Sequence, residues 1–215
     1  MNNLISLLFL PIIGFIQPAL PANTPDTKQL AKREFSLEKR YADSFVNGVF
    51  KDNILLVLRY TAQEKIDPRN IDWKKVNDPF KYSLTLKPGE VFAYHSDIAP
   101  QYLGKVVKTT NANFNWAQGF KSSGWLVGDG VCHLASLIYW TAKDANLDAV
   151  SKVRHDFAEI PQVPREFGVS IYDHPDRNAS DQAQNLYITN NKKKDVTFVF
   201  DYDGKDLKVT VEETI

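Results

Sequence analysis

Apolar and polar positions change rhythm along this 215-residue chain, and the changes divide it. Leu4 to Leu20 is almost wholly apolar, broken only by Ser6, Pro11, Gly14, Gln17 and Pro18. Between Ser36 and Gln63, Phe45, Val49, Leu56 and Val57 recur near the helical period around an apolar run from Ile54 to Tyr60. That predicts one or two helices, with a break near Gly48 or Asn53. Asp67-Pro68-Arg69-Asn70 is turn chemistry, and Asp72 to Val76 reads as a short helix or a loop. From Tyr82 the period falls to two. Ser83 to Leu86 alternates, Lys87-Pro88-Gly89-Glu90 turns, and Val91 to Tyr94 follows as a strand. A Val106-Val107 strand comes next, then a loop-rich stretch from Gly119 to Gly130. The helical period returns from Cys132 to about Ala145, with Asn146 as its stop. Val150 to Ile160, Ser170 to Tyr172, Asn185 to Thr189, Val196 to Tyr202 and Leu207 to Glu212 read as strands, the last two joined by a hairpin turn over Asp201 to Asp206. The expected class is α+β: N-terminal helices, then a central helix with a cysteine at its N-terminus packed on a mainly antiparallel sheet.

The apolar N-terminus changes the picture of location. Two prolines disfavour a stable spanning helix, and Ala19-Leu20-Pro21-Ala22 offers small residues for cleavage, so residues 1–22 are expected to be a signal peptide or an N-terminal anchor. Met1-Asn2-Asn3 lacks the usual Lys or Arg, which keeps the anchor open. Asn23 to Lys28 is expected to be a linker, and residues 23–82 a linker plus helical region. Membrane contact is expected through the N-terminal segment alone. Lys+Arg equals Asp+Glu at 26 each, and a chain without a basic excess is not built to neutralise nucleic-acid phosphates. An oligomeric state does not follow from the sequence.

An exported chain with one cysteine has no disulfide partner within itself, which turns attention to Cys132. It follows Gly128-Asp129-Gly130-Val131 at the start of the central helix. Unpaired N–H groups and the positive dipole end of a first helical turn favour thiolate, the nucleophilic form. Cysteine catalysis also needs a base. His155, on the first strand expected after the helix, is the preferred base. His133 diverges from Cys132 by about 100° around the helix and is an accessory candidate, as is Arg154. The N–H groups around Gly128, Asp129 and Gly130 would form an oxyanion hole, although the glycines equally suit a turn needing positive φ. A small buried hydrophobe is the other reading of Cys132. His95-Ser96-Asp97 and His174-Pro175-Asp176 have a spacing compatible with zinc, but such pairs are common in loops. No metal and no cofactor is expected. Asn178-Ala179-Ser180 matches a short, frequent glycosylation pattern and carries no weight.

Three segments in order, Lys87 to Phe92, Gly119-Phe120-Lys121 and Gly128-Asp129-Gly130-Val131-Cys132-His133-Leu134-Ala135-Ser136-Leu137-Ile138-Tyr139, resemble the VanW-like domain. Asn185-Leu186-Tyr187-Ile188-Thr189-Asn190-Asn191 is similar to its Asn-rich strand. The resemblance places that domain at residues 83–213. It implies an exported cell-envelope protein, extracytoplasmic or secreted, acting on peptidoglycan or cell-wall peptide, with Cys132 as nucleophile of an L,D-transpeptidase-like acyltransferase. The alternative it carries is a non-catalytic wall-binding or envelope-assembly module, with Trp116, Phe120, Trp125 and Trp140 partly lining a groove. The sequence departs from the family where a middle Gly becomes Asp129, where Gln after the cysteine becomes His133, and where Ala135-Ser136 replaces Ser-Thr. The family's Gly-x-Asp-Ala-x-Val motif is not evident near Arg165 to Ile171, so the source of a third catalytic group is missing.

Overall fold

Strict alternation builds the first sheet. In β7 (Val196–Tyr202) and β8 (Asp206–Thr214), Val196, Phe198, Phe200, Tyr202, Leu207, Val209 and Val211 all point to one buried face. Their hairpin closes on Asp203, whose carboxylate accepts the N–H groups of Lys205 and Asp206, while Gly204 takes φ 105°. β2 (Phe80–Leu86) pairs antiparallel with β7, and β1 (Thr27–Ser36) with β8, giving the order β1-β8-β7-β2. The computed structural model describes residues 26–124, 126–173 and 179–215. The expected export segment 1–22, Trp125, His174, Asp176 and Asn178 lie outside the described residues.

β1 departs from the sequence reading, which had a linker over Asn23 to Lys28 and helical signals from Ser36. Thr27 and Lys28 already pair with Thr214 and Glu213. Only Ala31 and Phe35 carry the strand's apolar alternation before Ser36, and the partner strand lies at the far end of the chain.

The second sheet holds β3 (Val91–Ala93), β4 (Val107–Thr109), β5 (Asp148–Ser151) and β6 (Leu186–Thr189) in the order β4-β3-β6-β5. β3 and β4 run parallel, and the other pairs antiparallel. The α+β class holds, and the one sheet expected is two. The central helix α3 (Val131–Asp144) joins them, touching β1 and β8 of the first and β5 and β6 of the second. Leu134, Leu137 and Ile138 are buried on it. It stops where Asn146 enters the left-handed region at φ 54°.

α1 (Ser44–Thr61) is one continuous helix, capped by the Asp43 carboxylate on the Val46 N–H. Neither expected break occurs. Gly48 faces open space, and Asn53 turns its amide outward to other segments rather than to its own helix. Ile54 to Leu58 are all buried, so α1 is a core helix. α2 (Trp73–Asn77) is short, and α4 (Ala179–Ala183) precedes β6. The strand expected over Val150 to Ile160 ends at Ser151, and beyond it only Arg154 and Val169 bridge. No described helix is long and apolar enough to cross a membrane.

Candidate functional site

The turn before α3 is held by close backbone approach. Gly130 caps the helix at φ 97°, and a Cβ there would lie 2.8 Å from the Phe50 carbonyl oxygen and 2.9 Å from its Cα. Gly128, at φ 84°, has the Phe114 Cβ only 3.0 Å from where its own would stand. Asn53, buried in α1, donates to the carbonyls of Lys121 and Asp129 and accepts the Lys121 N–H. Asp129 accepts the N–H and hydroxyl of Ser123 at 2.8 Å each. The Gly-rich approach is thus fixed from α1. Asn53 was invisible as a site residue in the sequence because its partners lie 68 and 76 positions away.

Cys132 is the second residue of α3 and keeps partial solvent contact. Its sulfur is engaged by an extended segment: the Ile171 N–H donates to Sγ at 3.4 Å, and the thiol donates to the Ile171 carbonyl at 3.6 Å. One turn on, the Ser136 hydroxyl accepts the Val169 N–H at 2.9 Å and donates to the Cys132 carbonyl. Residues 132 and 136 share a helix face, and 169 and 171 share a strand edge. The two side chains therefore stand in for a neighbouring strand. On its other edge the segment pairs with residues 153–155, through Ser170 N–H to Val153 and His155 N–H to Gly168.

Burial pushes the Cys132 thiol up to about 11, and the carboxylate of Asp129 adds to this. The N–H groups of Ile171 and of Cys132 itself oppose the rise without overcoming it. This corrects the expectation of an ionised sulfur. A helix start presents partial charges, but a crowded sulfur loses more solvation than they return.

Among the described residues, Cys132 hydrogen-bonds to Ile171 and to no imidazole. His155 leaves the expected strand and sits in a loop, buried, with Nδ1 3.0 Å from the Ala158 carbonyl and its ring against Phe157. Burial lowers its pKa. His133 is packed between Phe50 and His155, with ring centroids 5.0 and 6.1 Å away. Burial, then Arg40, then His155, hold it down to about 3, and its Nδ1 has no hydrogen-bond partner. Arg154 points outward, 3.6 Å from Asp156.

A cavity of about 430 Å³ lies beside His155, walled by Trp140 and the 158–165 loop, and Cys132 does not line it. The aromatic groove expected from the sequence is not one feature. Trp140 borders this cavity, stacked on Phe167. Trp116, 66% exposed, borders a separate shallow depression with Phe120, whose ring is itself buried. His95 is fully buried, held by Asn185, the Asp97 N–H and the Gln184 carbonyl, and no metal-binding cluster occurs among the described residues.

The profile of the family described as VanW like protein matches residues 82–212. The chain belongs to the VanW-like family. No curated protein and no solved structure matches it. The match begins inside β2, so β1 and α1 fall before it, although β1 completes the first sheet and α1 holds the cysteine turn.

Proposed function

We propose that this VanW-like protein works outside the membrane, at the cell envelope, as a non-catalytic module that binds wall peptide or supports envelope assembly. One observation carries the reading: the Cys132 sulfur is bracketed by the Ile171 backbone, with its thiol pushed up to about 11. At neutral pH such a sulfur is protonated, and among the described residues it hydrogen-bonds to no imidazole. Loss of the family's acidic motif near Arg165 to Ile171 agrees with this. Peptidoglycan is the partner, with no role for nucleic acid.

The second reading is a cysteine acyltransferase of L,D-transpeptidase type. It is favoured by the placement of Cys132 at the second residue of a helix with partial solvent contact. There the thiolate attacks a peptide carbonyl, His155 takes and returns the proton, and N–H groups from Gly130 to Cys132 stabilise the oxyanion. The test is incubation of the parent and Cys132→Ala with muropeptides, alongside peptidoglycan pull-down after thiol blocking. The binding reading expects retention on the wall and no cysteine-dependent product. Product from the parent that is absent with the variant establishes the enzyme instead.

A further inference from the structure

The cavity beside His155 has the makings of a ligand site apart from the cysteine. Its walls combine apolar surface from Trp140, Ile160 and Val163 with polar groups from Gln162, Arg165 and Glu159. At about 430 Å³ it has the size of a small-ligand site and room for a few small residues.

Charge selects what fits. Arg40 is 1% exposed and lies directly behind the wall, donating to the Pro161 carbonyl at 2.9 Å and to the Gln162 Oε1 at 2.7 Å. Its guanidinium rests on the Phe35 ring and makes no ion pair among the described residues. Burial lowers it to about 10, so it stays cationic at neutral pH. A buried cation without a counter-charge is costly, and an anion brought to the adjoining cavity reduces that cost. Arg165, at the rim, has its Nη2 on the Asp156 carbonyl at 3.1 Å and likewise makes no ion pair among the described residues. Glu159 is the opposing charge on the lining.

The wall is preformed. Gln162 is held at φ 64°, and its Oε1 accepts both the Arg40 guanidinium and the Ser36 N–H. The contact of His155 Nδ1 with a carbonyl sets the tautomer, which makes Nε2 an acceptor for a ligand N–H.

We propose that this cavity binds a short peptide through its free C-terminal carboxylate, with Arg165 and the field of Arg40 taking the charge, His155 and Glu159 taking peptide N–H groups, and Trp140 covering an apolar side chain. A planar guanidinium fork matches carboxylate geometry, and the mixture of apolar and polar walls suits an amino-acid residue better than a bare inorganic anion. The inference rests on the binding reading above and names its ligand and its place.

The test is titration of the full chain with acetyl-dialanine and with its C-terminal amide, followed by calorimetry and by the Trp140 indole N–H resonance. The acid should bind at least about tenfold more tightly than the amide and move the Trp140 signal, as one charge-assisted contact requires. Arg165→Gln, an exposed position whose melting temperature should not change, should bring the acid down to the level of the amide. Equal binding of acid and amide, or no saturable binding of either, overturns the inference, and this comparison needs no variant. A parallel pull-down on whole peptidoglycan and on glycan strands stripped of peptide separates the two levels. Retention on the wall without acetyl-dialanine binding removes the cavity and leaves wall binding, whereas the absence of both retention and acetyl-dialanine binding removes the two together.

Discussion

α3 meets the segment from 153 to 171 in two places, and the two are used in opposite ways. At its N-terminal end, Cys132 and Ser136 spend their polar atoms on the Ile171 and Val169 backbone. Further along, Trp140 and the loop after His155 stand apart and leave a cavity. The family block draws attention to the first place, whereas an empty volume lined by His155 and, behind its wall, a guanidinium without an ion pair among the described residues meet at the second. The difference teaches that a conspicuous residue can be occupied by the fold it helps to build.

The comparison breaks most sharply at Gly130. Gly130→Ala adds a Cβ within 2.9 Å of the Phe50 backbone at φ 97°, and should cost about 4 kcal/mol of stability, strain and clash together. Thermal or urea unfolding measures it. A loss below about 1 kcal/mol would show that the turn is looser than described.

Next in size is a pH effect from the histidine pair. His133 is held down to about 3 against its usual 6.5, and His155 is lowered as well. A base whose pKa falls on folding is neutral in the native chain while the unfolded chain takes up protons. The stability is therefore present above about pH 6.5 and is lost as pH falls toward the native values. Between pH 6.5 and about pH 4 the loss from His133 should be on the order of 3 kcal/mol. Urea unfolding across that range measures it, and His133→Leu should flatten the slope. An unchanged slope in that variant would assign the dependence elsewhere.

Smaller effects separate the two acceptors on α3. Ser136→Ala leaves the buried Val169 N–H without its partner and should cost about 2 kcal/mol. Cys132→Ala should cost about 1 kcal/mol, because sulfur is the weaker acceptor. The two losses should not add, since both hold one segment. A double variant equal to the sum of the singles would mean that the pair does not act as a ladder.

Much of this was legible in the sequence where local pattern and tertiary role agree. α3 and the β7–β8 hairpin follow from apolar period, Gly130, Asn146 and the Asp203-Gly204 turn. What was not legible depends on distant partners. β1 is polar on one face and finds β8 only through the whole fold. Residues 152–160 alternate enough to read as a strand, but after Ser151 the chain turns away to pair with 168–170, and His155 goes to Ala158. The helix start placed Cys132 near the dipole but did not give the sign of the shift in its thiol, because dipole strength is local while desolvation is set by the surrounding core and only partly offset by the Ile171 N–H.

The most direct measurement of that sign is the pH dependence of Cys132 alkylation in the native protein. The account predicts slow labelling at neutral pH and a rate that climbs with a midpoint near 11. Fast labelling with a midpoint below the usual thiol value of 9.0 would contradict it and return the sulfur to catalysis.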